Sequence, residues 1–216
     1  MDERIKRSLE QWGIALTQEQ AARLELFNSE LLEKNSRFNL VSRNDEGEIW
    51  PRHILDALAG VPLLRKLLGA GGSVADAGAG AGFPGIPLAV ALEDLNFDLW
   101  DSSLKRSQFL TWTASRLKLK NVRALHQRIG QSGALQAGKY GAVVERAMGK
   151  LENILPQCLN MLEAGGIFLA WQSGVPGSSA AIQKTLELHG GRAEEPFAYR
   201  LPNEERDRFI LVFRRC

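Results

Sequence analysis

Glycines alternate with alanines in the segment Ser73-Val-Ala-Asp-Ala-Gly-Ala-Gly-Ala-Gly-Phe-Pro-Gly85, which carries the clearest chemical signal in this sequence. Gly78, Gly80 and Gly82 lack a Cβ atom, so the backbone can turn tightly and a ligand can approach the main chain closely. Asp76 lies two residues before the first of these glycines. A helix that begins just after the glycines would direct its unpaired N–H groups at the same ligand. The segment therefore predicts a nucleotide-type binding loop between a strand and a helix.

Two binding-loop patterns overlap in this segment. Counted from Gly80, the residues satisfy the G-x-G-x-x-G pattern of dinucleotide-binding loops. Counted from Asp76, they satisfy D-x-G-x-G-x-G, which resembles the first motif of class I S-adenosylmethionine-dependent methyltransferases. Under either pattern Asp101 ends the next strand, where a carboxylate can accept hydrogen bonds from ribose hydroxyls. Asp76 and Pro84 favour the methyltransferase, because proline is unusual in the opening turn of a dinucleotide-binding helix. A flexible linker would not be framed by an acid and two strand patterns.

Composition places the chain among ordinary globular proteins. It has 216 residues, of which 44% are apolar and 24% charged, enough for one core with a small appendage. The net charge of +2 neither indicates nor excludes a face that binds nucleic acid. The first residues carry charges of both signs, and no apolar run approaches the length of a membrane helix, so we expect neither a secretory signal nor a membrane partner. Cys158 and Cys216 have no metal-ligand spacing, and they favour a reducing, cytoplasmic compartment.

Residues 1–72 predict an N-terminal helical extension. Thr17 followed by Gln20 has the pattern of a capping box, and apolar residues follow at helical spacing. Residues 35–47 are loop-like, and a second helical stretch, broken by Pro62, runs from about residue 48 to residue 68. The glycines within residues 69–72 mark the boundary with a second unit, which we predict to be the cofactor-binding domain, residues 73–216.

After residue 72 the pattern changes to alternating strands and helices. We predict strands over residues 73–77, 97–100, 122–125, 142–145 and 167–171, with residues 159–166 as a helix that ends in glycines. The intervening helices indicate a parallel sheet covered on both faces. Residues 208–215 form a last strand with no helix after it, so we expect antiparallel pairing with a strand near residues 197–201. The predicted fold is α/β and Rossmann-like, with a mostly parallel seven-stranded sheet and an antiparallel C-terminal strand, as in class I methyltransferases.

Several segments together resemble one family, the ribosomal RNA small-subunit methyltransferase G family, also called glucose-inhibited division protein B. They are Phe38-Asn-Leu-Val-Ser42, Arg52-His-Ile-Leu-Asp-Ala-Leu58, Asp76-Ala-Gly-Ala-Gly-Ala-Gly-Phe-Pro-Gly-Ile-Pro-Leu88, Leu99-Trp-Asp-Ser-Ser-Leu-Lys-Arg106, Asn121-Val122, Arg128 and Glu145-Arg-Ala147. Their order and spacing match the family from about residue 14 to the end of the chain. The Phe-Pro-Gly-Ile-Pro-Leu and Arg-His-Ile-Leu-Asp segments are far more specific than the glycines alone. The resemblance implies S-adenosylmethionine-dependent methylation of N7 of one guanine in 16S ribosomal RNA.

The resemblance also implies which residues contact the cofactor. It assigns this role to Gly78, Phe83, Ile129, Gly130 and Arg146. To these we add the loop residues Asp76 and Gly80, the ribose acceptor Asp101, and Arg128 after the third strand. Three departures from the family pattern bear on RNA handling and local cofactor affinity: Gly130 stands where an acid is frequent, Glu145 where a serine is frequent, and Gln172-Ser173 where Lys-Gly is frequent.

The implied reaction needs no proton transfer, because N7 of guanine carries a lone pair and no proton. We therefore expect no catalytic acid or base, and the sequence shows no metal-ligand spacing. Arg52, Lys105 and Arg106 are expected to contact RNA phosphates. His53 and Asp56 share one helix face, where a structural link to the sheet is favoured over a catalytic pair. The expected partner is 16S ribosomal RNA or the small ribosomal subunit, and we expect the protein to be a monomer.

Two functions from other classes stay open at this point. A small NAD(P)-dependent oxidoreductase would use the same glycines, although Tyr140 and Tyr199 offer no Tyr-x-x-x-Lys pair. A non-enzymatic, division-associated protein could retain the cofactor pocket alone. Titration with S-adenosylmethionine and NADH separates the two enzyme classes, and turnover on RNA excludes the non-enzymatic function.

Overall fold

The computed structural model describes residues 2–130, 137–174 and 179–216. Its strands are β1 (Ser73–Ala77), β2 (Asn96–Asp101), β3 (Val122–His126), β4 (Tyr140–Arg146), β5 (Leu162–Gln172), β6 (Gly191–Ala193), β7 (Phe197–Tyr199) and β8 (Arg208–Arg215). Its α-helices are α1 (Glu3–Gln11), α2 (Gln18–Phe38), α3 (Leu55–Leu58), α4 (Val61–Leu67), α5 (Gly85–Ala91), α6 (Leu104–Arg116), α7 (Leu151–Met161) and α8 (Ala180–Leu188). A 3₁₀ helix (Arg43–Glu48) and a π-helical stretch (Ile49–Ile54) join α2 to α3.

The strands form one sheet in the order β3-β2-β1-β4-β5-β8-β6, with β7 also paired to β8. The first five strands are parallel, and β8 pairs antiparallel with β5. β6 and β7 pair in turn with the two ends of β8 on its other side, so the eight strands fill seven positions. The predicted α/β fold, the mostly parallel sheet and the antiparallel C-terminal strand are therefore confirmed, whereas the sheet has eight strands where seven are predicted.

Two predicted element boundaries are wrong. α7 ends at Met161, and β5 begins at Leu162, where a helix to residue 166 was predicted. A Cβ atom on Gly166 would lie 3.1 Å from the carbonyl oxygens of Tyr140 and Gly141, so this glycine allows close backbone approach between strands. The loop predicted over residues 35–47 is shorter, since α2 continues to Phe38 and the 3₁₀ helix begins at Arg43.

The helical N-terminal residues share a hydrophobic core with the sheet. Thr17 and Gln20 form the predicted capping box at the start of α2. Phe27 and Leu31 of α2 lie in one buried cluster with Phe83 and Leu88. A second cluster on the opposite face packs α7 against the sheet. This first core contains residues from both sides of residue 72. The division of the chain into two units at that residue stays a prediction. No helix in the described ranges is both long and apolar enough to cross a membrane.

Candidate functional site

A cavity of about 740 Å³ opens at the carboxyl ends of β1 to β4. In open α/β sheets this edge is where ligands bind. It is large enough for a nucleoside-sized ligand. The residues that line it are Gly78, Trp100, Asp101, Ser102, Arg106, Gln127, Arg128, Ile129, Gly130, Ala147, Met148, Ile154 and Gln157. Gly78, Asp101, Arg128, Ile129 and Gly130, which the sequence nominated for cofactor binding, are therefore brought together in one cavity wall.

The glycine loop after β1 has no space for a side chain at Gly78, and its backbone is left-handed at both Gly78 and Gly80. Gly78 has φ +72°, and a Cβ atom there would lie 2.7 Å from Cγ of Met148, another residue of the cavity wall. Gly80, with φ +58°, contributes its backbone N–H, which donates to Oδ2 of Asp101 at 2.9 Å. Both backbones adopt a conformation that glycine reaches without strain. The loop thus presents bare main chain to the cavity at Gly78 and connects β1 to the end of β2 at Gly80.

Asp101 ends β2 with its carboxylate at the cavity wall. Oδ2 accepts from the Gly80 N–H, and Oδ1 accepts from the Ser103 N–H at 2.8 Å. A carboxylate has about four acceptor positions, so each oxygen keeps capacity for another donor. Nη1 of Arg106 lies 3.9 Å from Oδ2. This arrangement suits the two hydroxyls of a ribose, as the sequence predicted.

Asp76 stabilises the loop from beneath. The residue is fully buried, and Oδ2 accepts from the backbone N–H of Gly85 at 2.8 Å, at the first residue of α5. Burial raises the pKa of this carboxyl to about 7, while the Gly85 hydrogen bond opposes that rise. Asp76 does not line the cavity. Its cofactor contact stays a prediction, and its visible role is to join β1 to α5.

The segment after β3 forms the opposite wall of the cavity. Arg128, Ile129 and Gly130 come one residue after the end of β3, and Ile129 is buried among the residues that pack α7 on the sheet. Gly130 has φ +81°, and a Cβ atom there would lie 2.9 Å from Oε1 of Gln157 on α7. A side chain at position 130 would therefore need both backbone strain and displacement of Gln157.

Arg146 and Phe83 lie outside the 740 Å³ cavity, although the resemblance assigned them to the cofactor. Nη1 of Arg146 donates to Oδ2 of Asp56 at 2.9 Å, and Nη2 lies 2.9 Å from Nδ1 of His53. The guanidinium also stacks over the Phe83 ring, 4.9 Å from its centroid. Asp56 further accepts from the Tyr199 hydroxyl at 2.5 Å. Arg146 thus ties the helical extension to the sheet, the structural role favoured for His53 and Asp56.

His53, Asp56, Arg146 and Tyr199 border a second cavity of about 250 Å³. Its lining residues are Asp45, Arg52, His53, Asp56, Arg146, Ala147, Trp171, Gln172, Ser173, Tyr199 and Arg208. Ala147 belongs to the walls of both cavities, so the two adjoin at the end of β4. The lining includes three arginines and two aspartates, which leaves an excess of positive charge. Such a cavity suits a ligand that has negatively charged groups beside the part that enters it.

The residues predicted to contact RNA occupy different places. Arg52 is exposed beside the second cavity and pairs with Asp45 at 3.1 Å. Lys105 is exposed at the start of α6. Arg106 lines the larger cavity, with Nη1 3.9 Å from Oδ2 of Asp101, and its contact with RNA stays a prediction.

Glu145 was noted in the sequence as a departure, and the structure buries it completely beneath the cavity. Oε1 accepts from the Met148 N–H at 2.5 Å, and Oε2 has no hydrogen-bond partner among the described residues. Burial raises the pKa of this carboxyl to about 7. The side chain supports the turn that carries Ala147 and Met148.

Sequence reasoning missed seven residues of the larger cavity, namely Trp100, Ser102, Gln127, Ala147, Met148, Ile154 and Gln157. Ser102, Gln127, Ala147 and Met148 follow strand ends directly, so their positions could have nominated them. Ile154 and Gln157 come from α7, and their approach depends on how that helix packs. Among the described residues, no group of three or more His, Cys, Asp or Glu side chains could hold a metal ion.

The fold and the site together define an S-adenosylmethionine-dependent methyltransferase architecture. The chain is similar to a solved S-adenosylmethionine-dependent methyltransferase from Aquifex aeolicus, with a TM-score of 0.53 and 16% identity, over 71% of this chain and 88% of that one. It is also similar to TYW2 from P. horikoshii, solved in complex with MeSAdo, with a TM-score of 0.57 and 14% identity, over 76% and 62% of the two chains. At these identities the likeness establishes the fold.

Closer relatives establish the family. The family model described as rRNA small subunit methyltransferase G matches residues 20–190. The ribosomal RNA small subunit methyltransferase G of Lachnoclostridium phytofermentans is 32% identical over 212 residues, 97% of this chain and 87% of that protein. The protein of the same name from Acetivibrio thermocellus is 31% identical over 207 residues, 94% and 84% of the two chains. This chain belongs to the rRNA small subunit methyltransferase G family, which does not favour the oxidoreductase or the non-enzymatic function.

Proposed function

We propose that this protein transfers a methyl group from S-adenosylmethionine to N7 of a guanine in the 16S RNA of the small ribosomal subunit. The observation that carries the proposal is the pair of adjoining cavities. One is of nucleoside size and presents the Asp101 carboxylate, and the other is lined by three arginines. A methyl donor in the first and a base of the RNA in the second would meet near Ala147.

Residues of the larger cavity match the parts of this cofactor. Asp101 would accept from the ribose hydroxyls, since its two oxygens keep unused acceptor capacity. Arg128, Ile129 and Gly130 would lie along the adenine. Gly78 would meet the methionine end, because it lines the cavity and exposes its backbone there without a side chain. Asp76 and Gly80 would hold the loop in shape, Arg146 would serve the neighbouring cavity, and Phe83 would pack against its guanidinium.

Position and orientation would supply most of the catalysis. The bound cofactor provides a methyl group that is already activated on a positively charged sulfur. N7 carries a lone pair and no proton, so no base has to remove a proton before the methyl group is transferred. For this reason the sequence predicts no catalytic acid or base. The chain's own task is to align N7 with the donor and to exclude water, and effective concentration accounts for a large share of the barrier in such reactions. Presentation of the base would require an unpaired or extruded nucleotide.

RNA would approach along the exposed cations near both cavities. Arg52 and Lys105 would contact phosphates, and Arg106 would serve both the cofactor and the RNA. Such contacts position the backbone without reading its sequence. We further propose that the protein works in the cytoplasm, where the small subunit is assembled, and as a monomer.

Two measurements test the proposal. Calorimetry should detect binding of S-adenosylmethionine and its demethylated product, with no binding of NAD or NADP. Purified protein should then transfer labelled methyl groups to 16S RNA or small subunits that lack the modification, and mapping should place the label on N7 of one guanine. Tight NADH binding without S-adenosylmethionine binding would contradict the proposal, as would methyl transfer to another atom.

A further inference from the structure

Arg146 determines which nitrogen of the His53 ring carries the proton. A guanidinium has five N–H donors and no acceptor, so the ring nitrogen that faces it must accept. Nδ1 of His53 lies 2.9 Å from Nη2 of Arg146 and therefore carries no proton. Burial and the nearby Arg146 charge lower the pKa of His53 to about 4, so the ring is neutral at physiological pH. A neutral ring with an accepting Nδ1 carries its proton on Nε2.

The Nε2–H group is a buried donor without an acceptor. It has no hydrogen-bond partner among the described residues, and Oδ2 of Asp45 lies 3.7 Å away, beyond hydrogen-bond distance. Leaving such a donor unpaired in a folded protein is unfavourable, so a buried donor of this kind calls for an explanation. His53 lines the 250 Å³ cavity, but Nε2 itself is buried, so a ligand there would supply the missing acceptor once the surrounding side chains have moved slightly.

We propose that the 250 Å³ cavity binds the target guanine and that the Nε2–H of His53 donates to its O6 atom. The inference rests on the proposed function, because it assigns the base-binding part of the same site. The cavity adjoins the larger one at Ala147, so a base held there would face the methyl donor. Its volume suits one planar base, whereas the 740 Å³ cavity takes a nucleoside-sized ligand.

Guanine and adenine differ at the position that this donor would read. Guanine presents two neighbouring acceptors, N7 and O6, whereas adenine presents N7 beside an amino group that donates. A base turned with N7 towards the donor cavity would bring the group at position 6 to the same edge. His53 would pair with O6 of guanine and would face a second donor in adenine. A site built to donate rejects an analogue without the acceptor, because its own buried group is then left unpaired.

The same tautomer excludes His53 as a general base. Nδ1 is occupied by Arg146, and Nε2 already carries its proton. His53 would therefore determine specificity and would not transfer a proton. Gln offers a matched replacement, because its amide oxygen can accept from Arg146 while its NH₂ group donates into the cavity. Leu fills similar space and does neither.

The test combines enzyme variants with a substrate variant. Small subunits are assembled with 16S RNA that carries either guanine or 2-aminopurine at the methylated position. The analogue keeps N7 and lacks O6. For the parent enzyme, kcat/KM should be about 10- to 100-fold higher with guanine. His53→Leu should lower that ratio to near one, and His53→Gln should retain most of it. Asp94→Ala, which alters a surface ion pair outside both cavities, should leave the preference unchanged.

Each outcome of the test has a distinct meaning. The dissociation constant for S-adenosylmethionine should stay within twofold in every variant, since His53 lies outside the larger cavity. Equal loss by His53→Leu on both substrates would show a structural role and overturn the inference. Equal kcat/KM of the parent enzyme on both substrates would overturn it even if His53→Leu failed to fold. Failure of the parent enzyme to methylate guanine would contradict the proposed function itself.

Discussion

Replacement of Asp56 by alanine should destabilise the protein more than any exposed ion-pair substitution. The carboxylate is buried and accepts from Nη1 of Arg146 at 2.9 Å, from Nη1 of Arg208 at 3.1 Å and from the Tyr199 hydroxyl at 2.5 Å. Removing one partner of a buried ion pair leaves the other charge uncompensated, at a cost of about 3–5 kcal/mol. Arg146 would keep only His53 among these contacts, but Arg208 would keep Glu204 as a partner. Because only one of the two arginines loses its carboxylate partner altogether, we expect the lower end of the range, about 3 kcal/mol.

Urea and thermal unfolding of Asp56→Ala measure this loss. For a chain of this length about 3 kcal/mol corresponds to a fall in Tm of roughly 6–12 °C. Asp94→Ala is the matched control, because Asp94 pairs with Arg65 at 2.8 Å on the surface, where an ion pair contributes about 1 kcal/mol or less. A loss for Asp56→Ala no larger than that of Asp94→Ala would refute the view that Asp56 joins the helical extension to the sheet.

Four further predictions concern the cavities and their charges. Asp101→Ala should weaken S-adenosylmethionine binding by about 1.5–3 kcal/mol in calorimetry. Asp98→Ala, in the middle of β2 and outside the larger cavity, should not weaken it. Equal affinities of the two variants would contradict the ribose assignment. Gly78→Val should weaken binding further, because its Cβ atom would lie 2.7 Å from Met148; parent-like affinity would move the cofactor elsewhere. Lys105→Ala should leave this affinity intact and lower the salt slope of RNA binding by about 0.7–0.9, and an unchanged slope would remove Lys105 from the RNA surface. The Glu145 pKa is about 7 in the folded protein and 4.5 as the ordinary value, so the folded state holds the proton more tightly and stability should fall as pH rises from about 4.5 to 7. Glu145→Gln should lose that part of the decline in urea unfolding at a series of pH values, and an identical pH profile would show that Glu145 is ionised at no cost.

Local patterns in the sequence were sufficient for the elements and for much of the larger cavity. Thr17 and Gln20 predict their capping box because both hydrogen bonds form within one turn. Asp76, Gly78 and Asp101 predict a ligand site because parallel strands bring their carboxyl ends to the same edge of a sheet. The start of β5 was not predictable in this way, since Gly165 and Gly166 resemble a helix end, whereas both lie within β5 and Gly166 allows close approach between strands.

Contacts between distant segments were decided by the tertiary structure. Arg146 contacts Asp56 and His53, which lie 90 and 93 residues away in the sequence. Through this packing Arg146 lines the second cavity, although the sequence assigned it to the cofactor. The sequence indicates that these side chains are polar and near strand or helix ends, but not which of them share a hydrogen bond. The proton on Nε2 of His53 follows from that one contact, because a histidine tautomer depends on its neighbour and not on its own place in the chain. By itself the sequence determined the family, the sheet and the glycine loop, whose patterns are local, whereas the partner of each buried charge depended on how the helical extension packs against the sheet.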